Sequence, residues 1–322
     1  MITNKILITG GCGFIGSHIV EYFFKKYPKA KIHVYDKITY AANIKNLDLI
    51  RKNKRVKIIQ ADILNYKKLE KATKNCDLVI HAAAESHVDN SFQLNNEFIN
   101  TNVLGTKNVM QVCKVNKVKK IIHVSTDEIY GEIFNGSFDE NARFNPSNPY
   151  SSSKAAAEMI VNGYIHSYKL PVIIVRANNI FGTRQHPEKL IAGCCWSFIK
   201  NKKFTIHGKG NQKRSFLYVT DFCNAIYILS KKGKIFEAYN IGSKFEYLNK
   251  EIVKLIAIEN NKIFNKCIAY VKDRPFNDFR YSINFQKIMK LGWKPKTNFE
   301  DKINEINNWY KKNIHRFKNR FI

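Results

Sequence analysis

The chain has 322 residues, of which 44% are hydrophobic and 13% aromatic, so it is long and apolar enough to form a full globular core. Its formal net charge of +28 first suggests nucleic acid, but only ten of the 54 basic residues are arginine and the lysines are spread along the whole chain. We therefore expect a solvated lysine surface and no nucleic-acid partner.

Membrane and extracellular classes are not indicated either. No apolar run approaches the roughly 18 residues of a membrane span, and the first residues run into a predicted strand without a signal-peptide layout. The seven cysteines are scattered and include no C-x-x-C pair. We expect a cytoplasmic protein with no membrane segment, no disulfide framework and no metal site.

Apolar strands alternate with helical stretches through the first half of the chain. The strands predicted are KILITG, KIHVYD, VKIIQAD, CDLVIHAA and KKIIHVST. Helices are predicted from Ser17, over residues 95–115, and over PYSSSKAAAEMIVNGYIHSY. This alternation predicts an α/β fold, a Rossmann-type doubly wound parallel sheet.

The second half is less regular. A further strand, PVIIVRANNIFG, is followed by the short predicted strands KFTIHG, RSFLYV and EAYNIG. We expect a dinucleotide-binding domain over residues 1–178 and a smaller, mixed α/β substrate domain over residues 179–322, with some segments returning to the first domain. A ligand is expected in the cleft between them.

The glycine-rich segment TGGCGFIGS follows the first strand and opens a helix. Gly10, Gly13 and Gly16 have the spacing G-x-x-G-x-x-G, which lets a backbone approach a pyrophosphate at a helix N-terminus. Asp36 closes the second strand, where a carboxylate accepts hydrogen bonds from the adenosine ribose and repels a 2′-phosphate. The cofactor predicted is therefore NAD in preference to NADP.

Asp62, at the end of the predicted third strand, is placed to meet the adenine ring or is a simple loop acid. His81 is expected to be a packed histidine, and the alanines after it to line the nicotinamide. The predicted cofactor-binding residues are Gly10, Gly13, Phe14, Ile15, Gly16, Asp36, Lys37, Asp62, Ile63, Ala82, Ala84, Tyr150 and Lys154.

Tyr150 and Lys154 lie four residues apart on a predicted helix and so share one face. A free tyrosine has a pKa of about 10, but a nearby ammonium and a positively charged nicotinamide stabilise its phenolate. The pair is suited to take a proton from an alcohol during its oxidation. The hydroxyls of Ser125 and Thr126 end the preceding strand within expected reach.

Asp127 and Glu128 are adjacent acids at the end of an apolar strand. Two neighbouring carboxylates repel, so an ordinary strand end does not require both. They can divide the roles of base and acid if one stays protonated. If instead they only cap the following turn, the tyrosine and lysine act without an acidic pair.

These segments carry a family resemblance. TGGCGFIGS, HAAAESHVDNSF, STDEIYGE, NPYSSSKAAAE and NNIFGTRQHPEKLI resemble the extended short-chain dehydrogenase/reductases, and specifically the nucleoside-diphosphoglucose 4,6-dehydratases. GNQKRSFLYVTD and DRPFNDFRYSIN are more similar to the UDP-glucose 4,6-dehydratase domain of plant rhamnose synthases than to the bacterial dTDP-glucose enzymes. The resemblance implies NAD-dependent dehydration of UDP-glucose, or alternatively dTDP-glucose, early in rhamnose or deoxysugar synthesis.

The resemblance also implies the catalytic roles. Tyr150, supported by Lys154 and Thr126, removes the C4 hydroxyl proton while a hydride passes to NAD. Glu128 takes the C5 proton and Asp127 donates a proton to the departing C6 oxygen. The hydride then returns to C6 and a proton to C5, which gives UDP-4-keto-6-deoxyglucose and regenerates NAD.

On the substrate side, the resemblance assigns Arg214 and Arg274 to the diphosphate, with Asn179 as a further donor. The segment Glu188, Lys189 and Leu190 resembles the part of the family that holds the nucleobase, and Ser86 and His87 are placed to touch the sugar. Asn90 stands where the family has an arginine after HVD, which puts one local contact in doubt.

Relatives dimerise through two helices, which here correspond to residues 95–115 and 151–168, so a homodimer is expected. Two other functions stay open at this point. One is a UDP-sugar 4-epimerase or decarboxylase, and the other is a basic protein that binds NAD or nucleic acid without catalysis.

Overall fold

A computed structural model describes residues 3–317, and in this range the strands form three sheets. The strands are β1 (Lys5–Thr9), β2 (Lys31–Asp36), β3 (Val56–Gln60), β4 (Leu78–His81), β5 (Lys120–Thr126), β6 (Val172–Ala177), β7 (Asn179–Phe181), β8 (Phe204–His207), β9 (Lys213–Tyr218), β10 (Ala238–Ile241), β11 (Glu246–Leu248) and β12 (Ile268–Val271).

The helices cover both faces of the largest sheet and fill the C-terminal region. They are α1 (Phe14–Lys26), α2 (Tyr66–Thr73), α3 (Val88–Ser91), α4 (Asn95–Phe98), α5 (Thr106–Val115), α6 (Pro149–Tyr168), α7 (Leu190–Ile199), α8 (Val219–Lys232), α9 (Asn249–Glu259), α10 (Phe264–Cys267), α11 (Gln286–Met289) and α12 (Glu300–Asn313). Short 3-10 turns lie at Ile44–Leu47, Asp127–Tyr130 and Ile314–Arg316, and a π-helical segment at Ile99–Gly105.

The largest sheet has seven strands in the order β10-β6-β5-β4-β1-β2-β3, and all neighbouring pairs are parallel. From β1 the chain adds β2 and β3 on one side, and it then returns to add β4, β5 and β6 on the other side of β1. In an open α/β sheet, such a switch point leaves a crevice at the carboxyl ends of the strands. The predicted Rossmann-type fold is confirmed.

Alternating residues of the central strands explain why both faces are covered. Ile6 and Ile8 of β1 pack into one core with α1 and α8, whereas Leu7 between them packs into a second core with α2 and α5. All three side chains are fully buried. Burying an aliphatic side chain of this size contributes about 1.5–3 kcal/mol, so the two cores hold the helices against the sheet.

Several predicted boundaries need correction. The first helix begins at Phe14 and not at Ser17, because Gly13 is its N-cap. The third strand ends at Gln60, so Asp62 lies in the following loop. The predicted helix over residues 95–115 is helical throughout but includes the π-helical segment Ile99–Gly105.

The strand predicted from PVIIVRANNIFG is two strands, β6 and β7, separated at Asn178. The EAYNIG strand, predicted for the smaller domain, is β10, which adds to the large sheet beside β6. The remaining strands form a three-stranded sheet (β11-β9-β7) and a two-stranded sheet (β12-β8). The division at residue 178 stays a proposal, with β10 as a segment that returns to the first part.

Within residues 3–317, no helix combines the length and apolar character that a membrane crossing needs. The seven cysteines are free thiols and all are buried.

Candidate active site

The glycine-rich turn between β1 and α1 is too tight for side chains at two of its positions. Gly10 has a φ of +70°, and a Cβ at Gly16 would lie 2.0 Å from the carbonyl oxygen of Gly10. Helix α1 therefore starts directly against the end of β1, with its free N–H groups at the switch point. A dinucleotide pyrophosphate fits this arrangement because it needs close backbone approach and N–H donors.

Asp36, the last residue of β2, has a fixed and buried carboxylate. Its Oδ2 accepts a hydrogen bond from the backbone N–H of Cys12 at 2.8 Å, and its Oδ1 accepts one from Ile38 at 2.7 Å. Burial raises the pKa of Asp36, which these backbone donors oppose. The side chain thus faces the glycine turn in one orientation, as a ribose ligand must.

A cavity of about 290 Å³ runs from the glycine turn along the carboxyl ends of the strands. All the cofactor-binding residues predicted from the sequence lie in its wall. Asp62 and Lys37 form an ion pair of 2.9 Å between Oδ2 and Nζ at the edge of this cavity, a contact that the sequence does not predict. The shape, the glycine turn and the Asp36 carboxylate fit NAD.

The catalytic candidates lie in the wall of the same cavity. The end of β5 brings Thr126 there, the 3-10 turn that follows brings Asp127 and Glu128, and the first turns of α6 bring Tyr150 and Lys154. Asn148 caps α6 by accepting a hydrogen bond of 2.9 Å from the backbone N–H of Ser151, so the helix starts just before Tyr150.

The two adjacent acids have different surroundings. Asp127 is 2% exposed. Its Oδ2 accepts a hydrogen bond of 2.7 Å from the Asn178 amide. Burial and the neighbouring Glu128 raise the pKa of Asp127 to about 7, against hydrogen bonds from Asn178 and Thr126.

Burial also raises the pKa of Glu128, but the cations Arg214 and Lys189 oppose that rise. Asp127 has only a weaker opposing charge, that of Arg214. The pair can therefore hold one proton, and the cations around Glu128 favour its ionised form.

Tyr150 and Lys154 differ from the sequence-based expectation in one respect. Burial and Glu128 raise the pKa of Tyr150, and a hydrogen bond with Thr126 opposes this only partly. Lys154 donates to the carbonyl oxygen of Val124 at 2.7 Å, and burial lowers its pKa to about 8. The lysine alone does not lower the pKa of Tyr150, so a further positive charge is needed.

A second cavity, of about 210 Å³, meets the first at Glu128, Asn179, Glu188 and Lys189. Its wall includes His87, Leu190, Arg214 and Arg274, whereas Ser86 lines the first cavity only. The structure thus brings the predicted substrate residues together beside the acid pair.

The two candidate diphosphate ligands are held differently. Arg214 donates to three backbone carbonyls, those of Lys213 at 2.8 Å, Phe279 at 3.1 Å and Asp278 at 2.8 Å. Its guanidinium also lies 4.5 Å from the centre of the Tyr281 ring. Arg274 instead pairs with the Asp89 carboxylate, Nη2 to Oδ2 at 2.9 Å, so an anionic substrate competes with Asp89 for it.

Charged side chains fix the segment of residues 186–189, which follows β7. Although burial opposes it, a hydrogen bond with His186 and the charges of Lys189 and His87 lower the pKa of Glu188 to about 2. Lys189 donates to the carbonyl oxygen of Ser86 at 2.5 Å, which joins this segment to the loop after β4. Asn90, the departure from the family pattern, donates to the Tyr40 hydroxyl at 3.1 Å.

Sequence reasoning missed several residues of the site. Asn178 is the hydrogen-bond donor to Asp127, although the sequence predicted only its neighbour Asn179. The pair of adjacent asparagines inside an apolar strand was the available signal. Asp278 and Tyr281 line the second cavity and hydrogen-bond to each other, and Ser147 donates to Asp278 at 2.7 Å. Asp278 and Tyr281 lie in the DRPFNDFRY motif, in which the family resemblance assigned a role only to Arg274.

Comparison with known proteins adds to this geometry. A family model described as GDP-mannose 4,6 dehydratase matches residues 7–306. The chain is 42% identical to the human dTDP-D-glucose 4,6-dehydratase, over 98% of this chain and 92% of the human protein. It is 40% identical to the trifunctional UDP-glucose 4,6-dehydratase/UDP-4-keto-6-deoxy-D-glucose 3,5-epimerase/UDP-4-keto-L-rhamnose-reductase of Arabidopsis thaliana, over 96% of this chain and 47% of that protein.

A solved structure is also very similar. DesIV of Streptomyces venezuelae, a dTDP-glucose 4,6-dehydratase with NAD and TYD bound, superposes with a TM-score of 0.95 and 34% identity, over 98% of this chain and 99% of that chain.

Proposed function

Because the chain belongs to the GDP-mannose 4,6-dehydratase family and is an NAD-dependent nucleotide-sugar 4,6-dehydratase, a lyase, we propose that its substrate is UDP-glucose. The product is then UDP-4-keto-6-deoxyglucose, an early intermediate on the way to rhamnose or another deoxysugar. The cytoplasmic location stays a prediction of the sequence.

The observation that carries the reaction is the position of the acid pair. Asp127 and Glu128 lie in one cavity wall with Tyr150, Lys154 and the groups suited to NAD, and Glu128 also lines the second cavity. A sugar at the junction of the two cavities can contact the base, the acid and the tyrosine together. An epimerase uses the tyrosine and the lysine without an acidic pair, so two acids at this place favour dehydration.

NAD, when bound, supplies the redox chemistry by accepting a hydride from C4 and returning it to C6. The chain's own residues move the protons. Tyr150 removes the C4 hydroxyl proton, and Thr126 supports it through their hydrogen bond. Lys154 is buried in the cavity wall, and with a pKa of about 8 it carries a positive charge at lower pH.

The different surroundings of the two acids support their division of labour. Glu128, which faces the cations Arg214 and Lys189, removes the C5 proton, which the new C4 ketone makes acidic, and returns it to C5 when the hydride reaches C6. Asp127, whose pKa is about 7, donates a proton to the C6 oxygen as water leaves. Arg214 and Arg274 hold the diphosphate, and Glu188, Lys189 and Leu190 hold the base.

The uracil preference is supported by the GNQKRSFLYVTD and DRPFNDFRYSIN motifs, which resemble the plant enzymes. Relatives named for dTDP-glucose and for UDP-glucose are almost equally similar, at 42% and 40% identity. dTDP-glucose is therefore the alternative substrate.

The test is to incubate the purified protein with UDP-glucose or dTDP-glucose, adding no NAD, and to follow the mass of the nucleotide-sugar. We expect loss of one water, faster with UDP-glucose. Tyr150→Phe should abolish it, whereas Tyr270→Phe, at an exposed position outside both cavities, should not. Faster turnover of dTDP-glucose would overturn the base assignment, and an unchanged mass with galactose formed would indicate an epimerase.

A further inference from the structure

A buried ion pair lies behind the catalytic groups. The Glu158 side chain is fully buried and that of Arg176 is 6% exposed. Nε of Arg176 donates to Oε1 of Glu158 at 3.0 Å, and Nη2 donates to the same oxygen. Neither residue lines either cavity, so the mechanism above does not use them.

The remaining donors of Arg176 extend the pair into a network. Nη1 donates to the Tyr130 hydroxyl at 2.6 Å and to the Glu140 carbonyl at 2.8 Å. The Tyr130 hydroxyl in turn donates to Oδ1 of Asn240 at 2.9 Å. Asn240 lies on β10 directly beside Arg176 on β6, so five chain segments meet in this network: β6, α6, β10, the Asp127–Tyr130 turn and the segment of Glu140.

Two of these segments carry catalytic residues, and a third leads to Asn178. Glu158 is one helical turn beyond Lys154 on α6, on the same face. Tyr130 ends the short turn that begins with Asp127 and Glu128. Arg176 stands two residues before Asn178, whose amide contacts Asp127.

We propose that the Glu158–Arg176 pair with Tyr130 is a positioning element that sets helix α6, the Asp127–Tyr130 turn and Asn178 in register for the elimination. This inference rests on the proposed function for its catalytic consequence. These residues touch neither cavity and act through Lys154, Asp127 and Asn178.

A buried ion pair contributes little to the free energy of unfolding, but it fixes the directions of its hydrogen bonds. Desolvating two charges costs about as much as their attraction returns, and apolar replacement of such a pair is often neutral for folding. The fork of an arginine, in contrast, fixes the angles between its partners. The charge of Glu158 also opposes the fall in the pKa of Lys154 that burial causes.

The experiment compares wild type with the double variant Glu158→Leu/Arg176→Met, which replaces the pair by apolar groups. Thermal unfolding, kcat, KM and a crystal structure are measured. We expect a Tm near that of wild type, an unchanged KM, and a kcat lowered by up to about 10²-fold, as for a displacement of about 1 Å. The 2.7 Å contact between Asn178 Nδ2 and Asp127 Oδ2 should be lost in the crystal.

If the double variant does not fold, Arg176→Lys replaces it in the experiment, because lysine keeps the positive charge but lacks the branched guanidinium. We expect the same loss of kcat at constant KM. Glu158→Gln should also lower the pH above which C4 oxidation, followed as NADH formation, declines, because Lys154 loses the negative charge that raises its pKa; lost stability alone would not do this. Glu246→Gln, which breaks the ion pair with Arg280 outside both cavities, is the control.

Wild-type kcat in a folded double variant that keeps the Asn178–Asp127 contact would overturn the proposal. If wild type dehydrates neither sugar, the proposed function fails, but the crystal structure of the variant still decides whether the pair positions Asp127.

Discussion

Nδ2 of Asn178 lies 2.7 Å from Oδ2 of Asp127, and Oδ1 of the same asparagine accepts a hydrogen bond from the backbone N–H of Ser243 at 3.1 Å. The second bond orients the amide so that its NH₂ group faces the acid. Asp127 is thereby held in one orientation next to Glu128, and its other oxygen is left toward Thr126.

The first prediction concerns the acid. Asp127→Asn should lower the rate of water loss by about 10²–10⁴-fold, because it removes the proton donor for the C6 oxygen. Tyr150 and Lys154 are unchanged, so C4 oxidation should continue and NADH should accumulate after mixing with substrate. Stopped-flow absorbance of NADH and product mass measure both steps.

Asp139→Asn is the matched control, since Asp139 is exposed and lies outside both cavities. Wild-type water loss in Asp127→Asn would remove Asp127 from the mechanism.

The second prediction is a pH dependence. Because the pKa of Asp127 is about 7, its protonated form is lost as the pH rises through that value, and the rate of water loss should fall there. The limb belongs to the coupled pair with Glu128 and should be absent in Asp127→Asn. An elimination rate that is flat from pH 6 to about 8 would contradict it.

The same shift has a consequence for stability. The folded-state pKa of Asp127 lies above the unfolded value of about 3.9. Asp127 therefore contributes fully to the stability of the folded state when the pH is below its unfolded-state pKa. This contribution is lost as the pH rises through about 7. Asp127→Asn should gain Tm relative to wild type as the pH is raised over this window, as measured by thermal unfolding without substrate.

The third prediction concerns cofactor choice. Asp36→Asn should weaken NAD binding on the order of tenfold, the effect of one charge-assisted hydrogen bond, and should weaken NADP binding less. Calorimetry on cofactor-free protein measures both affinities. Asp48→Asn, at an exposed position before β3, should leave them unchanged. An unaltered ratio of the two affinities would show that Asp36 does not face the ribose.

The fourth prediction concerns the diphosphate. Arg214→Met should raise KM on the order of tenfold or more, because a fixed guanidinium is lost from the second cavity. It should also move the acidic limb of the kcat profile to higher pH, since Arg214 opposes the rise in the pKa of Glu128. Steady-state kinetics across pH test both effects, with Arg280→Met as control. An unchanged KM would exclude Arg214 as a ligand.

The fifth prediction concerns the homodimer, which stays a proposal. Ile99, Leu104, Met159 and Tyr168 are 47%, 48%, 50% and 53% exposed, all on the two helical stretches predicted to pair. Leu104→Lys should convert a dimer to a monomer in light scattering, because a charge in an apolar interface is costly to bury. Leu49→Lys, at a position 83% exposed elsewhere, is the control. A dimer that survives Leu104→Lys would place the interface on another face.

Much of the site could be predicted because its signals are local. Gly10, Gly13 and Gly16 lie within seven residues, and the four-residue spacing of Tyr150 and Lys154 puts them on one helix face whatever surrounds the helix. Residues defined by a distant partner were missed. Asn178 is a donor only because β6 lies beside β5, and Asp278 enters the cavity wall from a segment far along the chain.

Periodicity and motif spacing in the sequence determined the fold class, the cofactor and the identity of the acid pair, since each depends on neighbours within a few turns or strands. Only the tertiary structure decided how the two acids differ. The burial of the two acids comes from the packing around them, and the Asn178 amide and the cations Arg214 and Lys189 come from three other places in the chain. Electrostatic energies depend on distances in space and not on separation in sequence. The raised pKa of Tyr150 has the same origin, because helix packing places its phenol in a dry site beside Glu128.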